Sequence, residues 1–177
     1  MPALTLSATI ESWPLREAFV ISRGAKTQAH VVVARVGNGE HVGRGECVPY
    51  ARYGETVEGV LSAIEAAAKD HTAFRDRQCL EKHMPAGAAR NAIDCALWDL
   101  ECKLSGQSIW AKVGVSARTL TTCQTIGVLD TPAATGEAAA ALADYKLLKL
   151  KLTDDQPIDR VRAVRAARPD ARIIVDA

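Results

Sequence analysis

The run Lys146-Leu147-Leu148-Lys149-Leu150-Lys151-Leu152 sets two lysines two residues apart among leucines. Side chains alternate across a strand, so Leu148, Leu150 and Leu152 share one face and Lys149 and Lys151 the other. A solvated edge strand would show the same residues, but the leucine face suits a parallel strand covered by helices, with Lys146 at its solvated start. Two neighbouring ammonium groups disfavour each other's charge, and desolvation acts in the same direction. At least one lysine is therefore expected to have a lowered pKa and to serve as a general base near neutral pH. The run Arg172 to Asp176 repeats the alternation and brings Asp176 to the carboxyl end of its strand, the place equivalent to Lys151 on the strand before. Thr125, near the end of the preceding strand, is a third candidate. Asp176 could hold a hard divalent cation such as Mg²⁺ through oxygen, or cap the following helix; one carboxylate is not a metal site by itself. A base beside such a cation suits removal of a proton α to a carboxylate or carbonyl.

The elements that position these residues follow an α/β pattern. After about Thr119, strands over 121–128, 146–152 and 172–176 alternate with helices over 132–145 and 157–167. Alternation of this kind implies parallel strands joined by right-handed crossovers. The spacing of about 25 residues between strands suits a (β/α) barrel and equally a doubly wound sheet. The first third reads as three antiparallel strands, over 4–10, 29–36 and 41–47, with Asn38-Gly39 as a hairpin turn. Two loops, 22–27 and 48–55, carry Arg23, Lys26, Arg52 and Tyr53 beside glycines. Thr56 caps a helix to about Lys69, a short helix lies within 71–85, and a third helix spans 88–104. On the third, Ile93, Ala96, Leu97, Leu100 and Leu104 form the core stripe, Gly106 ends the helix, and Cys95 and Cys102 are expected to be buried.

Composition bounds the function. The 177 residues carry 22 Lys plus Arg against 21 Asp plus Glu, a net charge of +1 with no long Lys/Arg cluster, which argues against a nucleic-acid binder. No apolar run reaches the roughly 18 residues of a membrane span, and no signal peptide is recognisable. Five cysteines without a CxxC pair read as reduced thiols of a cytoplasmic protein, and the four histidines show no ligand spacing.

Several longer stretches carry a family resemblance: Trp13-Pro14-Leu15, 19–24, Gly45-Glu46-Cys47-Val48-Pro49-Tyr50, Arg52-Tyr53-Gly54-Glu55, 85–100, Lys149-Leu150-Lys151 and Ile174-Val175-Asp176-Ala177. The chain resembles the enolase superfamily in its mandelate racemase/muconate lactonizing branch, and within it the dipeptide (L-Ala-D/L-Glu) epimerases. The resemblance implies an α+β capping domain over residues 1–118, followed over 119–177 by the first strands and helices of a modified (β/α) barrel, incomplete in this chain. It implies Mg²⁺-dependent epimerisation of a small dipeptide by proton abstraction and enolate stabilisation. That pairing of a lysine with Mg²⁺ is known for the superfamily as a whole and is not read from these residues. Lys151 would be the base on one face, Lys149 its electrostatic tuner and Asp176 the first metal ligand. Arg23, Lys26, Tyr53 and Thr125 would meet the substrate. Close relatives carry Arg where this chain has Lys26, which keeps the charge and loses the bidentate fork. A complete barrel takes about 250 residues, so further metal ligands and the opposite base would lie elsewhere, and the 177-residue chain alone would be inactive. Other readings are an N-acylamino acid racemase, a muconate cycloisomerase, or a catalytically inactive fragment or binding module. No membrane or nucleic-acid partner is expected, and a homo-oligomer is left open.

Overall fold

The computed structural model describes residues 4–21 and 24–176, without the side chains of Glu17 and Ile21. The chain divides into two compact units, Met1–Pro14 with Gln28–Ala117, and Leu15–Thr27 with Arg118–Ala177.

In the first unit a sheet of order β1-β2-β3 packs on helices. Its strands are β1 (Thr5–Ile21), β2 (Gly24–Gly37) and β3 (Val42–Cys47), and β1 and β2 run on into the second unit's residues. β1 is far longer than the expected 4–10, because its outer half is mostly exposed and carries no apolar alternation to mark it. Pro14 is tolerated there because β1 is an edge strand. β2 begins at Gly24, so Lys26 and Thr27 lie on a strand and not in the expected loop. Residues 31–34 of this central strand are all buried. β2 and β3 pair antiparallel from Val32↔Cys47 to Gly37↔Val42, around a turn in which the Asn38 side chain accepts from the Glu40 and His41 amides.

Helices α1 (Val57–Ala68), α2 (Arg77–His83), α3 (Ala88–Ser105) and α4 (Ile109–Lys112) follow. Thr56 caps α1 by accepting from the Gly59 amide, and Gly106 (φ 63°) ends α3. Ile93, Ala96, Leu97 and Leu100 enter the core with Val32, Val36, Ile64, Phe74 and Leu80. Leu104 does not; it is about half exposed. Cys95 is exposed and Cys102 half-buried, against expectation. Their seven-residue spacing aligns them with each other, but about 180° of helix rotation separates them from Ile93. All five cysteines are free thiols.

α3 also guards the open edge of β3. The Asp99 carboxylate accepts the Arg44 amide at 2.8 Å, Lys103 donates to the Val42 carbonyl at 2.7 Å, and Asn91 donates to the Glu46 carbonyl. Burial pushes the Asp99 carboxyl up, but Lys103 and the Arg44 amide outweigh it and hold it low. So close an approach needs glycine. A Cβ at Gly45 would stand 2.0 Å from the Ala92 carbonyl oxygen, and one at Gly43 2.0 Å from that of Ala96. The obstacle is helix backbone, which cannot rotate away, so Gly45→Ala should cost about 3 kcal/mol or more. A lowered urea midpoint would show it; an unchanged midpoint would contradict this packing.

The second unit holds β4 (Gln124–Ile126), α5 (Pro132–Ala141), β5 (Leu147–Lys151), α6 (Pro157–Ala167) and β6 (Arg172–Asp176), with the strands parallel in the order β4-β5-β6. Leu148, Leu150 and Leu152 bury one face of β5 with Ile126, Ala139 and Val164. β4 is shorter than the expected 121–128. Its ladder with β5 ends at Ile126↔Leu150, and the Val128 amide turns instead to the Val20 carbonyl. α5 stops at Ala141, short of Tyr145, where buried Arg168 takes the Leu142 and Tyr145 carbonyls.

Arg168 also forks onto Asp170, at 2.9 and 3.0 Å. That guanidinium holds the Asp170 carboxyl far below its usual 3.8. A depressed carboxylate stabilises the fold fully above the unfolded value and loses that contribution as pH falls through the folded one. Stability should therefore decline below roughly pH 4, and Asp170→Asn should flatten the decline in acid unfolding curves. An identical slope in the variant would remove Asp170 as its source.

Candidate active site

The parallel register brings the chemistry-bearing residues of the second unit into two rows on the sheet face opposite the leucines. Thr125, Lys149 and Ile174 form one row, and Lys151 and Asp176 the next. The ladder continues just past this point, where the Leu152 amide donates to the Asp176 carbonyl.

Asp176 lies between the two lysines. Its Oδ2 accepts from Lys149 Nζ at 2.6 Å and from Lys151 Nζ at 2.7 Å. The side chains are 31%, 23% and 36% exposed for Lys149, Lys151 and Asp176, so the cluster is neither dry nor fully solvated. The two ammonium groups hold the Asp176 carboxyl down to about 2. The same contact raises Lys149, whose partner Asp176 outweighs desolvation. At Lys149 the shift thus runs opposite to the lowering expected of at least one of the two lysines. The neighbouring ammonium and burial favour the neutral amine, but the carboxylate that the adjacent strand inserts outweighs them at Lys149.

Thr125 is half-buried beside Lys149 in register. Lys26 is exposed on β2. Arg23 lies outside the described residues. Tyr53, 77% exposed, belongs to the first unit, on a 3-10 turn over Ala51–Tyr53. Its ring stands 5.7 Å from that of Tyr50.

Among the described residues no group of three or more His, Cys, Asp or Glu side chains could hold a metal ion. Asp176 supplies one hard oxygen donor and fits a divalent cation only as one member of a larger set. Nor is any described helix long and apolar enough to cross a membrane.

Two residues with evident positioning roles were missed in the sequence. Arg160, 2% exposed, spans the loops that follow β4 and β5. It donates to the Leu129, Asp130 and Asp155 carbonyls, to Thr135 Oγ1 and to the Asp155 carboxylate. Glu55 ties the Tyr53 turn to α3. Neither carries a periodic signal, because each works largely through backbone groups, several of them 30 or more residues away.

Residues 3–114 match the family described as mandelate racemase/muconate lactonizing enzyme, N-terminal domain. The chain belongs to this family. Its fold is the capping domain of the enolase superfamily, here with a βαβαβ segment after it. The chain is 42% identical to the L-Ala-D/L-Glu epimerase of Escherichia coli (strain K12) over 176 residues, 98% of this chain and 54% of that protein. A crystal structure of an enolase family member from Agrobacterium tumefaciens, described as having homology to dipeptide epimerases, contains sodium and L-Ala-L-Glu. It is 48% identical with a TM-score of 0.91, over 98% of this chain and 53% of that one. The dipeptide epimerase of Enterococcus faecalis, solved with Mg and L-Leu-L-Tyr, is 26% identical with a TM-score of 0.88, over 100% and 54%. The chain thus spans about half the length of the curated relatives it matches.

Proposed function

We propose that this chain is the N-terminal part of a Mg²⁺-dependent dipeptide epimerase of the L-Ala-D/L-Glu type. Residues 1–118 would be its capping domain and 119–177 the opening of its (β/α) barrel. The Lys149–Asp176–Lys151 cluster at the carboxyl ends of parallel strands carries the reading, supported by the likeness to dipeptide epimerases.

Lys151 is the base that takes the α-proton of the second residue of the dipeptide onto Nζ. It can do so only when neutral, so its contact with Asp176 must be exchanged before it accepts a proton. Lys149, one step back on the same face, sets the local potential. Asp176 would give one oxygen to the cation, which when bound would supply positive charge beside the substrate carboxylate. By the likeness to dipeptide epimerases, Arg23, Lys26, Tyr53 and Thr125 would be the residues that contact the substrate. Epimerisation needs a base on each face of the substrate, so the 177 residues alone should not turn it over.

The test is the full-length gene product with L-Ala-L-Glu and Mg²⁺ in D₂O. Deuterium should enter the α-carbon of the Glu residue and the two epimers should equilibrate. A complete absence of exchange would overturn the reading.

A further inference from the structure

We propose that Glu55 is a positioning residue: its carboxylate fixes the Tyr50–Gly54 turn onto the N-terminus of α3 and thereby sets where Tyr53 stands. The inference rests on Tyr53 as a substrate contact.

The turn is locally well formed. The Tyr53 amide donates to the Tyr50 carbonyl at 2.9 Å, and the Gly54 amide to that of Ala51 at 3.0 Å. Gly54 adopts φ 73°, where a side chain would be strained. These bonds define the curvature of the turn but not its location, since none of residues 51–53 is buried. Location comes from Glu55. One carboxylate oxygen accepts the Tyr50 amide at 3.0 Å and closes the loop on itself. The other accepts the Ala88 amide at 2.6 Å, across 33 residues of chain.

Four helices take an N-cap from their own Thr56, Asp76, Ser108 or Thr131. α3, the longest at 18 residues, begins at Gly87 and has no side chain of its own to cap it. Its first free amide is met by a carboxylate carried on the tyrosine turn, at the positive end of the helix. Gly87 leaves the room for this: a Cβ there would stand 3.0 Å from Glu55 Oε1. The two amide donors, Ala88 first and Tyr50 second, hold the Glu55 carboxyl below its usual range. Each oxygen accepts a backbone amide, one within the turn and one at the start of α3, which makes Glu55 a fastening between the two. Tyr53 packs on Tyr50, whose backbone is fastened, over a hollow of about 640 Å³ that Asn91 of α3 also lines.

The experiment compares the wild-type full-length gene product with Glu55→Gln and Glu55→Ala. Glutamine keeps one acceptor but must turn its NH₂ toward the other amide. In both variants amide hydrogen exchange at Tyr50 and Ala88 should accelerate together, by about tenfold in Glu55→Gln. KM for L-Ala-L-Glu should rise about tenfold with kcat within about twofold, because orientation is lost and the base is untouched. Unchanged exchange at Tyr50 overturns the inference. So does faster exchange with an unchanged KM, if Tyr53→Ala raises KM. If Tyr53→Ala itself leaves KM alone, the substrate reading of Tyr53 fails, while faster exchange at Tyr50 still upholds Glu55 as what fixes the turn.

Discussion

Replacing Lys151 with methionine in the full-length gene product should lower α-proton exchange by about 10²–10⁴-fold, the range that a positioned general base supplies. Methionine keeps an unbranched stem of similar length and removes the nitrogen. Leu150 and Leu152 point to the opposite, buried face, so the core of the second unit should be undisturbed. The loss should be one-sided. Exchange starting from one epimer of the Glu residue should vanish while exchange from the other persists, because a second base must serve the opposite face. Lys149→Met should cost only about tenfold, since Lys149 acts through charge and Asp176 keeps Lys151 as a partner. The measurement is deuterium incorporation from L-Ala-L-Glu and L-Ala-D-Glu separately, by mass spectrometry. Wild-type rates from both epimers in Lys151→Met would remove Lys151 as the base.

The largest expected effect on stability away from the glycine contacts is at Arg160. Its guanidinium crosses from α6 to the loop after β4 and the loop after β5, and its side chain is only 3% exposed. Arg160→Met removes every donor at once and strands the carbonyls of Leu129, Asp130 and Asp155. The expected cost is about 3 kcal/mol, the sum of groups that each cost about 1–3 when left unpaired, less what water recovers. Arg160→Lys should rescue little, because one ammonium cannot reproduce a planar fork that reaches two loops. Asp155→Asn should cost less, as its carboxylate is more than half exposed. Urea unfolding of the three variants would give the order Met, Lys, Asn from most to least destabilised. If the methionine variant unfolded at the wild-type midpoint, the loops would be held by other means.

Most elements of this fold were legible because one face of each is buried. The leucines of β5, the stripe of α3 and the apolar run of β2 announce themselves by period, and the capping Thr56 and the terminal Gly106 by type. The outer half of β1 was not, since an exposed ribbon buries neither face and leaves no period. Leu104 and the two cysteines of α3 were misjudged for the related reason that period gives relative phase but not where the partner surface ends.

Alternation along each strand is local, so the residue order alone puts Lys149 with Lys151 on one face and brings Asp176 to the end of its own strand. The register across strands and the side-chain contacts belong to the tertiary fold, which sets one Asp176 oxygen against both ammonium groups and so raises Lys149. That fold alone also decided that Glu55 and Arg160 fasten the loops around the candidate substrate-binding residues. The long-range contacts among these join groups 25 to 33 residues apart through side-chain tips and backbone groups, and no periodicity records a partner at that distance.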